Sequence, residues 1–255
     1  MTLKPIARIT LLSSLLGLAL VAQAKDWPAP IKALEAQGVA VIGTFEAPGG
    51  LTGYAGSIHQ QPLAIYLTPD GQHTIVGTLL DAKGENLSEA PLKRLVSQPL
   101  TEKVWQQLET GHWIADGAKN APRIVYTFTD PNCPYCNKFW NDARPWVSAG
   151  KVQVRHIMVG ILRPSSPGKA AALLSAKNPQ SALTQHVQQH SSGGATPLSK
   201  IPDAVRAKLD GNYTLMQQLG FAATPAILYK DDAGQLQTTQ GAPSAEVLSR
   251  ILGPR

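Results

Sequence analysis

Residues 126–140 read YTFTDPNCPYCNKFW and hold both cysteines of a 255-residue chain, Cys133 and Cys136, with only Pro134 and Tyr135 between them. An apolar run, a polar DPN loop and then a cysteine followed by proline spell a buried strand that turns directly into a helix. Proline at the first helical position costs no hydrogen bond, so the helix is expected to begin at the first sulfur and to continue through NKFWNDARPWVSAG. Pro145 lies inside that continuation and is expected to kink it. Around this unit RIVYTF (123–128) and KVQVRHIMVG (151–160) read as strands. PAILYK (225–230) and QLQTTQ (235–240) read as two more, joined by a DDAG turn, with a last helix near 243–252. Strand and helix alternate through this half, the pattern of an α/β layer fold.

The stretch 164–220 is helical in pattern. SPGKAAALLSA offers Ser166 as N-cap with Pro167 at the first position, and DGNYTLMQQLG closes at Gly220. Upstream, PAPIKALEAQ (28–37) reads as a short amphipathic helix stopped by Gly38. Strand-like runs follow at 39–45, 52–59, 62–68 and 73–80, and PDG (69–71) reads as a hairpin turn with Gly71 at positive φ. Residues 25–84 therefore form an α+β N-terminal domain, one helix on a small antiparallel sheet. Apolar residues at mostly helical spacing between 86 and 112 mark a linker helix region, assigned to 85–118, in which Pro99 argues against one unbroken helix. The second, α/β domain is assigned to 119–255, with the helical stretch at about 164–220 inside it.

Compartment decides what a close cysteine pair means. Lys4 and Arg8 give a positive start, Leu11–Val21 form an apolar run, and Ala22-Gln23-Ala24 fits a small-x-small cleavage site. Residues 1–24 are read as a secretory signal peptide, with Lys25 as the new N-terminus, because the apolar run is shorter than the roughly 20 residues that span a bilayer. Removing Lys4 and Arg8 takes the net charge from +6 to +4. That mild, dispersed excess, with no dense basic run, argues against nucleic-acid binding.

Four explanations exist for the pair: a staple, half of a metal site, inert thiols, or a redox couple. A staple closing about 4 residues gains about 2 kcal/mol of loop entropy before strain, against about 3 for about 15 residues. A chain this size can also bury its own core. A zinc site needs two further ligands; His186 and His190 have i, i+4 spacing, but HVQQH lacks the glutamate of a zincin and reads as a solvated helix face. The expectation is no metal. The redox reading accounts for the context as well as the spacing. Cys133 at a helix N-terminus would be stabilised as thiolate, and Cys136, one turn in, would resolve a mixed disulfide. Pro134 and Tyr135 are the residues placed to tune the pair, and Asp130 stands near enough to influence the thiolate. In GFAATPAILYK, Thr224 and Pro225 begin a strand, where an X-Pro bond can be cis at modest cost.

With these residues in view, the chain resembles the thioredoxin superfamily, in which a cis-proline loop lies beside the CxxC and offers backbone groups to a substrate chain. By that resemblance Thr224 and Pro225 are the substrate-binding loop, and 164–220 is an inserted helical subdomain. TFEAPGGLTGYAG, IYLTPDGQHTIVG, DPNCPYCNKFW, ARPWVSAGKVQVR and SPGKAAALL are similar to the DsbC/DsbG family of periplasmic disulfide enzymes. The resemblance implies a cystatin-like dimerisation domain over 25–84, a V-shaped homodimer and a thioredoxin-like catalytic domain. It further implies a periplasmic location, no cofactor beyond a redox-active Cys133–Cys136 disulfide, and a DsbD-type membrane reductase as electron donor. Its substrates would be exported proteins bearing misoxidised disulfides or sulfenylated cysteines, with some chaperone-like binding. The expected function is thus a thiol:disulfide reductase/isomerase with Cys133 and Cys136 catalytic. The alternatives are a DsbA-like dithiol oxidant and a cysteine-independent holdase.

Overall fold

Two sheets divide the apolar residues of the chain into separate cores. The computed structural model describes residues 26–58 and 61–254; the signal peptide and its cleavage after Ala24 lie outside the described residues. Helix α1 (Ala29–Glu35) leads into strands β1 (Ala40–Glu46), β2 (Thr52–Ile58), β3 (Gln61–Leu67) and β4 (Thr74–Val76), paired antiparallel in that order. Alternate residues of a strand face opposite sides, and β2 and β3 use both. Tyr54, Ile65 and Leu67 pack with Ile31 of α1 on one side, while Ala55, Ala64 and Tyr66 pack with Phe45 and Val96 on the other. Gly53 is required here, since a Cβ on it would stand 2.4 Å from the Phe45 ring. The expected strand at 73–80 pairs only over Thr74–Val76, because the chain turns away at Gly77, whose φ is 154°. Gly71 takes the positive φ, 69°, that the PDG turn asks of it.

The apolar stretch that follows runs as helix through Pro99, where a break was expected. Helix α2 (Glu89–Leu92) passes through a π-helical turn (Lys93–Ser97) into α3 (Gln98–Thr110). The wide turn ends two residues before Pro99 and the α-helix resumes at Gln98, so the proline occupies an early position whose missing N–H costs little. Leu92, Leu95 and Val96 cover the N-terminal sheet, and Val104 and Leu108 join the next core.

That core surrounds a five-stranded sheet ordered β5 (Trp113–Asp116), β7 (Val152–Met158), β6 (Arg123–Thr129), β8 (Ala226–Lys230) and β9 (Leu236–Gln240). Strand β5 corrects the sequence reading: its four residues lie in the stretch assigned to the linker, yet they pair antiparallel with β7. A four-residue run containing Trp113 and Asp116 carries too little periodicity to stand out. Strands β6 and β7 are parallel, and β8 runs antiparallel to β6. Val125, Val154, Ile227 and Tyr229 face helices α4 (Pro134–Ser148) and α8 (Ala245–Leu252), through Phe139, Trp146, Leu248 and Ile251. Tyr126, Phe128, Ile157 and Leu228 face the opposite way, toward α3 and Met216 of α7 (Asp203–Gln218). Helix α4 continues through Pro145 to Ser148. The helices between β7 and β8 are α5 (Ser166–Leu174), α6 (Pro179–Gln188) and α7. Ala170, Leu173, Leu183 and Leu209 form a third core with Trp140 and Met158, which binds them to the sheet beside the cysteines.

Candidate active site

The strand-to-helix junction after β6 sets the geometry. Cys133 is the N-cap of α4, with φ −82° and ψ 113°, and its Sγ accepts the Cys136 backbone N–H at 3.3 Å. Pro134 takes the first helical position, Tyr135 is exposed, and both sulfurs are buried, at 3 % and 4 % relative exposure. They are free thiols in this structure. Across from them the Thr224–Pro225 peptide bond is cis. Cys133 Sγ lies 3.2 Å from the Thr224 carbonyl, to which it donates in its thiol form, and the Pro225 carbonyl accepts Gly241 N–H at 2.8 Å. All six residues singled out in the sequence, Cys133, Pro134, Tyr135, Cys136, Thr224 and Pro225, therefore meet at one place.

The two sulfurs are electrostatically unequal. The Cys136 thiol directed at Cys133 does most to lower the Cys133 pKa, from 9.0 to about 6. The Thr224 side chain and the backbone N–H groups of Cys136 and Tyr135 add to this, against desolvation. A thiol of pKa about 6 is roughly 90 % thiolate at pH 7, where an ordinary thiol is a few per cent. Cys136 moves the other way, because burial and the neighbouring sulfur push its pKa well above 9.0. The Thr224 hydroxyl is buried and makes no ordinary hydrogen bond, yet it favours the thiolate at both sulfurs.

A buried acid holds the loop. Asp130, 1 % exposed, accepts Asn132 N–H (2.8 Å), Ile161 N–H (2.7 Å), Leu162 N–H (3.0 Å) and the Ser166 hydroxyl (2.8 Å). Ser166 is thus the first residue of α5 rather than its N-cap; its hydroxyl serves Asp130 and accepts Asn132 Nδ2 at 2.9 Å. Charge-assisted bonds of this kind fix a loop far more firmly than neutral ones.

His186 corrects a second expectation. It is 4 % exposed rather than solvated, since α6 turns this face inward. Nδ1 accepts Ala195 N–H at 2.9 Å, which leaves Nε2 to donate to the Pro131 carbonyl at 2.8 Å. Burial pushes its pKa down, so the ring is a neutral buttress under the cysteine loop. Sequence spacing could not distinguish this face from a wet one. Among the described residues no group of three or more His, Cys, Asp or Glu is placed to hold a metal ion, and no helix is long and apolar enough to cross a membrane.

The comparisons with known proteins agree with this geometry. A family profile for thioredoxin-like domains matches residues 114–253. The thiol:disulfide interchange protein DsbG of Pseudomonas aeruginosa is 53 % identical over 242 residues, covering 95 % of this chain and 94 % of that protein. The chain belongs to the DsbG family. DsbG of Escherichia coli is 44 % identical, over 95 % of this chain and 99 % of that one. Salmonella typhimurium DsbC is more distant, 26 % identical over 64 % of this chain and 63 % of that one. Among solved structures, the catalytic domain of Proteus mirabilis ScsC is similar in fold. Its TM-score is 0.51 at 22 % identity, covering 61 % of this chain and 96 % of that one. As a DsbG-family protein with a thioredoxin-like domain, the chain is a thiol–disulfide oxidoreductase.

Proposed function

We propose that this protein is a periplasmic thiol:disulfide reductase and isomerase in which Cys133 attacks and Cys136 resolves. The Cys133 thiolate attacks one sulfur of a substrate disulfide; the Cys133–substrate bond forms as the substrate S–S bond breaks, and the other substrate sulfur leaves as thiolate. Cys136 then attacks Cys133, forming the Cys133–Cys136 disulfide and releasing the substrate thiol. With a sulfenylated substrate the Cys133 thiolate forms the same mixed disulfide as the S–O bond breaks, and the hydroxide that leaves takes a proton from solvent to become water. Isomerisation is the branch in which a second substrate thiol displaces Cys133 before Cys136 acts. A membrane reductase of the DsbD type returns two electrons to the pair.

The observation that carries this reading is the placement of the sulfurs, Cys133 at the helix start beside the cis Thr224–Pro225 bond and Cys136 buried one turn behind it, a placement that lowers the pKa of the first and raises that of the second. Thr224 and Pro225 line the approach, and Ala222 and Ala223 just before them are exposed, which suits an extended substrate chain lying along this loop. A homodimer through the N-terminal sheet is supported by its edge: Ile75 and Val76 of β4 and Leu80 are each more than half exposed, a surface that strand edges normally avoid. Chaperone-like binding belongs to the same reading as a secondary property.

The test is the redox state of the pair in cells, by acid quench and mass-tagging alkylation, followed by trapping with Cys136→Ala. A predominantly reduced pair and disulfide-linked substrates on Cys133 are expected. A predominantly oxidised pair would reverse the direction and favour an oxidant, and biological activity surviving Cys133→Ser with Cys136→Ser would favour a holdase.

A further inference from the structure

Cys136 must lose a proton to resolve the mixed disulfide, and its burial makes that loss unfavourable. Behind it lies a cavity of about 10 Å³, lined by Cys136, Thr129, Trp140, Met158, His156 and His186 among others. That is about the space one water centre occupies, provided two or more polar groups face it. Two buried polar groups beside it are unpartnered, and the Thr129 hydroxyl, which reaches the Thr127 carbonyl only at 3.5 Å, is shared with a histidine. Trp140 Nε1 and His156 Nε2 have no hydrogen-bond partner, and the Thr129 hydroxyl meets His156 Nδ1 at 3.0 Å. On the far side of the imidazole, Asp116 Oδ2 stands 3.7 Å from His156 Nε2. Asp116 is itself held by Arg144, which stacks 3.6 Å over the Trp140 ring. His156 is 1 % exposed and Asp116 2 %. A buried carboxylate, an imidazole and a hydroxyl thus stand in a row that ends one residue from Asp130, whose backbone N–H faces the Cys136 sulfur.

We propose that Asp116, His156 and Thr129 form a proton relay for Cys136, coupled to its thiol through the Thr129 hydroxyl and a water in this cavity. The inference rests on the assignment of Cys136 as resolving thiol. As Cys136 attacks Cys133, its proton passes by way of the water and the Thr129 hydroxyl to His156 Nδ1; the substrate leaves as thiolate, and the imidazolium later returns the proton to solvent. Asp116 balances the transient charge. The ionisable groups around His156 are Asp116 from β5, Arg144 and Cys136 from α4, Asp130 after β6 and His186 from α6, with His190 at the mouth of the cavity. The two nitrogens of His186 are already committed, which leaves His156 as the buried imidazole open to a proton. His156 touches no substrate atom, so it acts as a positioning and relay residue.

The test separates the two sulfur steps. Reduced protein mixed with 5,5′-dithiobis(2-nitrobenzoate) releases one thionitrobenzoate when Cys133 attacks and a second when Cys136 resolves. In His156→Gln the second release is expected to slow by at least tenfold at pH 7, the low end for loss of a proton acceptor, with the first release unchanged. The pH profile of the second release should change with it, while that of the first release stays as in wild type. Thr129→Val should behave like His156→Gln, and Thr129→Ser, which restores the hydroxyl, should recover the rate; these variants decide the matter if His156→Gln does not fold. A second release equal to wild type in rate and pH profile, in a folded His156→Gln or Thr129→Val, would overturn the relay alone. A second release that persists in Cys136→Ala would overturn the sulfur assignment and the relay with it.

Discussion

Lowering the pH of the reduced protein should remove a stability that only the Cys133 thiolate provides. The Cys133 pKa is about 6 in the folded chain against 9.0 ordinarily. A depressed acid stabilises the fold fully above its unfolded pKa and loses that contribution as pH falls through the folded one. From those two values the contribution is about 1.4 kcal/mol at pH 7 and about 0.1 kcal/mol at pH 5. Screening by the water that reaches the sulfur brings the difference to about 1 kcal/mol. Other groups titrate in this range too, since burial lowers His186 and His190. The measurement is therefore a double difference, urea unfolding of wild type and of Cys133→Ser at pH 5 and pH 7 under reductant. Wild type should gain about 1 kcal/mol over the variant between the two pH values. A gap that stays flat, or narrows as pH rises, would refute the account of the thiolate. Because only the dithiol form holds this energy, about 1 kcal/mol also corresponds to a reduction potential about 20 mV more oxidising at pH 7.

Three further outcomes follow from contacts already described. Thr224→Ala should raise the Cys133 pKa, since the side chain favours the thiolate, and alkylation of Cys133 by iodoacetamide at pH 6 should slow severalfold. Asp130→Ala leaves the Ile161 and Leu162 N–H groups and the Ser166 hydroxyl without their acceptor, so unfolding should be easier by about 3 kcal/mol or more; a loss under 1 kcal/mol would mean the clamp is not structural. Gly53→Ala drives a methyl into Phe45 and should cost about 1–3 kcal/mol, read as faster amide exchange in β1 and β2 with the cysteine reactivity unchanged.

Much of the site was legible because its chemistry is local in the chain. Cys133, Pro134 and Cys136 lie within one helical turn, and proline after the N-cap announces where that turn begins. Thr224–Pro225 could be joined to them only through family resemblance, since about 90 residues intervene. The residues that escaped are those whose role depends on tertiary neighbours. His186 has the spacing of a solvated face until Pro131 and Ala195 close over it. His156 alternates along β7 as any strand residue does, and nothing in RHIMVG tells that Thr129 and Asp116 stand beside its ring. Strand β5 was missed because its partner, β7, lies about 40 residues downstream, and the break expected at Pro99 was absorbed by a π turn that no propensity scale encodes.

The four bonds to Asp130 have a consequence for how such a chain could be re-engineered or could diverge. Two of its donors lie in the segment leading from β7 and a third opens α5, so the cysteine loop and the threshold of the helical insert are fastened to one carboxylate. Excising 164–220 to leave a minimal redox domain would take the Ser166 hydroxyl from that carboxylate and cut the chain just after the Ile161 and Leu162 donors, and grafting the CPYC loop onto another scaffold would lose all three. The helices between β7 and β8 are therefore not a detachable accessory. The loop and the insert can be exchanged only together, as one heritable unit.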